Sequence, residues 1–216
     1  LNHNALDGGV PAELGDLPLL RQLDLSHNQL SGYLPSELGS ITTMERLYLQ
    51  SNRLIGQVPT DIEFTSLANN DGMDLRWNAL YNTDPDLDIF LFSKQIDDFW
   101  EPSQTTAPTG LRALRTGDHT VELGWDPVGF LNTYEGGFEA FYVPTSGGTW
   151  TSAGRTSAKD VLAIPVTGLD PSVSYDFAVA TYTKPHADNS NEVLSELGEV
   201  VSETTNNDGC PAPVIS

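Results

Sequence analysis

Four histidines, one cysteine and 30 carboxylates are the side chains best suited to catalysis or metal binding in this sequence of 216 residues. His3 and His27 each stand just before an asparagine, at the same phase of a repeat. They read either as an imidazole pair for a divalent metal or as a recurring turn position. Cys210 is the single cysteine, which excludes an internal disulfide and a zinc site of the cysteine type. Asp84, Asp86 and Asp88 alternate along one stretch, and Asp188-Asn189-Ser190-Asn191-Glu192 offers oxygens along another. Hard cations take clustered oxygens, so Ca2+ is the cofactor to test, although neither stretch has the spacing of an EF-hand loop. The plainer reading of both is solvated acids. Gly-x-Ser-x-Gly, His-Glu-x-x-His and a phosphate loop are all missing, and no acid pair is marked for proton transfer. The expectation is a chain that is not an enzyme and carries no resident cofactor or metal.

The elements that position these residues come from a repeat. Leu1-Asn2-His3-Asn4-Ala5-Leu6 returns as Leu25-Ser26-His27-Asn28-Gln29-Leu30 and as Leu49-Gln50-Ser51-Asn52-Arg53-Leu54. The period is 24 residues (28 − 4 and 52 − 28). A fourth copy, Leu75-Arg76-Trp77-Asn78-Ala79-Leu80, follows after 26 (78 − 52). Gly8, Gly32 and Gly56 repeat as well, followed by Val10-Pro11, Leu34-Pro35 and Val58-Pro59. Alternating leucines predict short strands with their apolar sides turned into each coil. Asn4, Asn28, Asn52 and Asn78 fall where the chain leaves those strands, where an amide can bond backbone groups that the turn leaves unpaired. One such coil cannot bury its own apolar side, so stacked coils must make the core.

This pattern resembles the leucine-rich repeat family, in the form L-x-L-x-x-N-x-L-x-G-x-(I/L)-P found in plant receptors and bacterial surface proteins. The resemblance covers residues 1–80 and implies an α/β solenoid of short parallel strands. Asn82-Thr83-Asp84-Pro85 replaces the glycine and proline of the fourth unit and marks the end of the stack. Residues 84–100 read as a cap whose helix starts at Asp84-Pro85-Asp86 and whose closing aromatics are Phe99 and Trp100. Residues 1–100 are thus one domain and 101–107 a polar linker. Leu1 already lies inside a strand signature, which leads us to expect further coils upstream.

The resemblance also implies a concave face, on which outward strand positions of successive coils line up. Asp24, Tyr48 and Asp74 share one row, Gln50 and Arg76 another, and Arg46 and Trp77 flank them. Arg, Tyr and Trp are the types enriched at binding hot spots, so these seven residues are the candidate ligand-binding set. The competing reading is that Tyr48 and Trp77 merely cover the sheet.

From residue 108 the period changes to two. Val121, Leu123 and Trp125 alternate with polar or small residues, as do Phe138, Ala140 and Tyr142, and then Tyr175, Phe177 and Val179. About seven short strands with frequent turns predict an all-β sandwich. Leu169-Asp170-Pro171-Ser172-Val173-Ser174-Tyr175-Asp176-Phe177-Ala178-Val179, with Trp125 before it, resembles fibronectin type III domains over residues 108–205. The resemblance assigns Trp125, Leu169 and Tyr175 structural roles, with the Tyr175 hydroxyl bonded to upstream backbone. Residues 206–216 read as a linker to a further segment, which Cys210 could tether.

Charge narrows the partners. The formal net charge is −20, a surface that repels phosphate backbones and anionic lipid. Nucleic acid is therefore not expected, nor is membrane insertion, since no apolar run has transmembrane length. A chain this poor in cysteine fits a secreted or cell-surface bacterial protein that relies on its core rather than on disulfides. The expected function is noncatalytic extracellular binding or adhesion, with a protein or glycan on the concave face. Two alternatives stand beside it: a self-associating subunit of a surface layer or filament, and a recognition arm of a larger secreted enzyme.

Overall fold

The computed structural model describes residues 1–97, 100–128 and 134–207. Phe99, Cys210 and most of the expected terminal linker lie outside the described residues. The chain divides into two compact units. Of the described residues, the first unit holds 1–97, 100–106, Tyr134 and Thr183–Ser195, and the second holds the others.

In the first unit each 24-residue period forms one coil. Strands β1 (Asp7–Gly8), β2 (Gln22–Asp24), β3 (Gln29–Gly32), β4 (Arg46–Tyr48), β5 (Arg53–Gln57), β6 (Met73–Asp74) and β7 (Ala79–Tyr81) are two to five residues long. They form two parallel sheets, ordered β2-β4-β6 and β1-β3-β5-β7. The register follows the repeat: Gln22 faces Arg46, Leu23 faces Leu47, and Asp24 faces Tyr48. Inward residues such as Leu47, Leu49, Leu54 and Leu75 are at most 1% exposed, so truncating any one to alanine should cost about 2–5 kcal/mol.

Of the expected α/β solenoid the structure shows short parallel strands rather than a clear solenoid, and the α part needs correcting. Between strands the coils run through 3-10 turns, Ala12–Asp16, Ser36–Ser40 and Thr60–Phe64, not α-helices. Each turn opens just after a proline, whose fixed φ suits the entry, and each is too short for α-helical pairing to propagate. Coil stacking there is tight: a Cβ on Gly39 would lie 2.2 Å from the Asp61 carbonyl oxygen of the next coil. The sole α-helix of the described residues in this unit is α1 (Pro85–Lys94). Asp84 caps it by accepting from the Asp86 and Leu87 amides, and Leu87 and Leu91 seal the last coil together with Trp100.

The stretch read as a linker, 101–107, is instead partly interior. Ser103, Gln104 and Thr105 are 2–3% exposed. Gln104 Oε1 accepts from Leu80 N at 3.0 Å, and its Nε2 donates to the Leu75 and Trp100 carbonyls, both at 2.9 Å. A glutamine thus takes over the work of the ladder asparagine at the end of the stack, where the chain needs a longer reach.

The second unit is all-β. Strands β8 (Arg112–Thr116), β9 (Thr120–Gly124) and β12 (Ala163–Thr167) form an antiparallel sheet in the order β12-β9-β8. In the other sheet β10 (Gly136–Pro144) pairs with β11 (Thr151–Arg155), and β13 (Ser174–Thr183) lies between β10 and β15 (Val201–Thr204). Strand β14 (Val193–Leu194) precedes β15 in sequence and lies in the Thr183–Ser195 segment of the first unit. The alternation seen in sequence places Trp125, Phe138, Tyr175 and Phe177 in one core with Leu169, and Trp125 meets Phe138 at 5.0 Å between ring centroids. The Tyr175 hydroxyl accepts from the Asp170 amide at 3.1 Å and so pins the approach to β13.

Candidate binding face

The ladder asparagines set the geometry of the candidate face. Asn28, Asn52 and Asn78 are 0–2% exposed. Each Oδ1 accepts a backbone amide of the preceding coil, from Leu6, Leu30 and Leu54 at 3.0–3.1 Å. Each Nδ2 donates to the leucine carbonyl three residues back in its own coil. Each also reaches a carbonyl one coil earlier, those of Leu1, Leu25 and Leu49. Asn4 differs: it is exposed and bonds only the carbonyls of Leu1 and Asn2. The residue before each asparagine takes positive φ: His3, His27, Ser51 and Trp77 lie between 51° and 62°. This left-handed step sharpens the exit from the strand, and non-glycine residues tolerate it because the asparagine bonds hold both sides.

On the outer side of the β2-β4-β6 sheet, the inward turn of Leu23, Leu47 and Met73 leaves Gln22 and Arg46, and then Asp24, Tyr48 and Asp74, directed outward in register. Asp24 accepts from Asn2 Nδ2 at 2.8 Å and from the Ser26 hydroxyl at 2.6 Å. The Tyr48 hydroxyl donates to the Asp71 carbonyl at 2.9 Å, and burial together with the Asp71 charge holds its pKa above the usual value. Arg46 lies 3.6 Å from the Asp71 carboxylate. Gln50 is half-buried and its Oε1 has no protein partner.

Asp74 points outward but is 1% exposed, because Arg76 lies across it. The guanidinium donates through Nε at 2.9 Å and a terminal nitrogen at 2.7 Å to the two oxygens of Asp74, and reaches Asp97 at 2.6 Å. Its carbon sits 4.6 Å from the centre of the Trp77 ring. The hydrogen bond that Arg76 donates to Asp74 raises its pKa further, so this group is a permanent cation held flat. Of the seven candidates, the structure joins Asp74, Arg76 and Trp77 into one cluster and Arg46 and Tyr48 into another through Asp71. Asp24 belongs to neither, and Gln50 is set apart by its unpaired oxygen.

A second set of residues on this unit is illegible in the repeat pattern. Asn189, 1% exposed, donates to the Asn52 carbonyl at 2.9 Å and the Trp77 carbonyl at 2.8 Å. Asn191 donates to the Asn28 carbonyl at 2.7 Å. The Ser51 hydroxyl donates to the Asp188 carbonyl at 2.5 Å. The two asparagines, two residues apart, thus fasten to carbonyls of coils 24 and 26 residues apart. Tyr134 stacks on His186 at 3.6 Å and its hydroxyl donates to the Asp188 carboxylate; burial comes first among the causes that raise its pKa. The signal for this segment was the Asn-Ser-Asn triplet, which reads equally well as cation ligands.

The metal candidates are placed as follows. In the 188–192 stretch Asp188 accepts from Ser51 and Tyr134 and Asn189 Oδ1 accepts from Asn191, while Asp84 caps α1. His3 and His27 stack at 4.1 Å with rings 12° apart, so their in-plane lone pairs run side by side and do not converge on a point. Burial, with His3 next, lowers the His27 pKa. Among the described residues no three His, Cys, Asp or Glu side chains are grouped to hold a metal ion. No described helix is long and apolar enough to cross a membrane.

A Leucine Rich Repeat family model matches residues 19–41. No curated protein matches the chain. Among solved structures, the fn3 domain of human contactin 1 is similar at 14% identity, covering 50% of this chain and 82% of its own, with a TM-score of 0.39. The fibronectin type-III domain of human fibronectin type III domain containing protein 3 is similar at 24% identity, covering 50% and 92%, with a TM-score of 0.37.

Proposed function

We propose that this chain is a noncatalytic recognition module of a secreted or cell-surface protein. In this reading the stacked coils are part of a leucine-rich-repeat solenoid and the sandwich is a fibronectin type III-like spacer. A protein or glycan ligand docks on the outer face of the β2-β4-β6 sheet. The observation that carries the reading is the Arg76 platform, a guanidinium flattened by Asp74 and Asp97 against the Trp77 indole. Groups immobilised before binding lose little entropy on contact, and a planar cation beside an indole suits a carboxylate, an aromatic side chain or a sugar ring. Arg46 and Tyr48 extend the surface by one coil.

Because Arg76 also neutralises a buried carboxylate, its removal confounds binding with folding, so the test uses its neighbours. Wild-type chain and an Arg46→Ser/Tyr48→Ala variant are screened against glycan arrays and panels of extracellular proteins. The reading expects a ligand whose affinity falls about tenfold or more in the variant, a loss of roughly 1.4 kcal/mol. Ligands bound equally by both proteins would remove the proposed face.

A further inference from the structure

Helix α1 carries apolar side chains on both sides. Leu87 and Leu91, both 0% exposed, face the last coil. Ile89 and Phe92, three residues apart and so neighbours on the opposite face, are 73% and 60% exposed. A helix covering the end of a stack needs only one apolar side, and its outer turns are expected to be polar. Pro85, exposed at the helix start, continues the outer strip. Phe64, 69% exposed, ends the 3-10 turn against which α1 packs.

The rim of this strip is acidic. Asp86 and Asp88 are exposed on α1, and Asp61 and Glu63 are exposed on the adjoining 3-10 turn. Glu101 is close enough to Asp88 that burial and the Asp88 charge both raise its pKa, a sign of carboxylates crowded without a cation between them. The one lysine of α1, Lys94, is turned away to Asn69 and the Phe90 ring. An apolar strip edged by uncompensated carboxylates is complementary to a helix with leucine-like residues on one side and lysine or arginine at its margins.

We propose that the outer face of α1, centred on Ile89 and Phe92, is a docking surface for a basic amphipathic helix of a partner protein. It lies on the 3-10 side of the coils, so it is separate from the β2-β4-β6 face and does not depend on that reading. The acidic rim disfavours a second copy of this chain, whose own strip carries the same charge, and it disfavours anionic membrane.

The test uses the full chain and a labelled Leu/Lys amphipathic helical peptide of about 14 residues, followed by fluorescence anisotropy. A peptide of the same composition with its apolar stripe scrambled, and a Leu/Glu counterpart, are the controls. Binding of the Leu/Lys peptide should weaken about tenfold or more in Ile89→Ser/Phe92→Ser. It should weaken several-fold in Asp86→Asn/Asp88→Asn and in ~0.5 M salt, and the Leu/Glu peptide should not bind. Equal binding of the scrambled peptide would overturn the proposal, as would equal binding to the Ile89→Ser/Phe92→Ser variant. Dimerisation of the chain that this variant abolishes would overturn it in favour of a second copy. Retention on zwitterionic vesicles that the variant abolishes would do so in favour of a lipid surface.

Discussion

Replacing Asn52 by alanine tests whether the coils are held by their asparagine ladder or by leucine packing alone. Asn52 is 0% exposed; its Oδ1 takes the Leu30 amide at 3.0 Å and its Nδ2 donates to the Leu25 and Leu49 carbonyls at 3.0 and 2.9 Å. The carbonyls are not orphaned by the change. Leu25 O keeps Asn28 Nδ2, and Leu49 O keeps Asn78 Nδ2. The Leu30 amide loses its side-chain acceptor inside the stack. One unsatisfied buried donor costs about 1–3 kcal/mol, and the two lost donations add about 1 kcal/mol between them in a site where other donors remain. The sum is about 2–4 kcal/mol. Asn4→Ala removes only exposed, local bonds and should cost under about 1 kcal/mol. Urea denaturation followed by circular dichroism gives the totals. Hydrogen exchange at the Leu30 amide localises the effect, and its protection should fall by at least about tenfold. If Asn52→Ala costs no more than Asn4→Ala, or if Leu30 protection is unchanged, the ladder does not hold the coils.

Three further outcomes follow from the same contacts. Arg76→Ala strands the buried Asp74 carboxylate and should cost about 2–3 kcal/mol, while adding Asp74→Ala should recover at least about 1 kcal/mol of that in a double-mutant cycle by urea denaturation; strict additivity would show that the pair is not coupled. Asn189→Ala/Asn191→Ala removes the amides that fasten residues 184–192 to three coils and should speed cleavage there by a nonspecific protease about tenfold, with an unchanged rate counting against the fastening. Burial lowers the Lys159 pKa to about 8, so its Nζ resonance should titrate near 8 instead of 10.5; the folded protein then binds fewer protons than the unfolded chain between those values, and stability should rise with pH across that window, a flat profile arguing that the amine is solvated.

What the amino-acid sequence determined by itself was everything periodic. A 24-residue recurrence of leucine, asparagine, glycine and proline fixes which side chains turn inward, where the turns fall and how successive coils register, because each is a local property repeated at constant spacing. The alternation around Trp125, Phe138 and Tyr175 likewise revealed the core of the second unit. Only the tertiary structure decided what had no period. Gln104 could not be recognised as the last rung of the ladder, since nothing in Glu-Pro-Ser-Gln-Thr-Thr marks a buried amide. Asn189 and Asn191 read from sequence as solvated loop residues or cation candidates, and only the fold brings beside them the carbonyls they serve, more than a hundred residues away. Arg76 looked free for a ligand until Asp74 was found beneath it, and the outer face of α1 could not be told from its buried face by residue type. The physical reason is common to all four: an amide, a guanidinium or an apolar side chain has the same chemistry wherever it stands, and its role is set by which partner the fold delivers, within about 3 Å for a hydrogen bond and about 4 Å for an apolar contact.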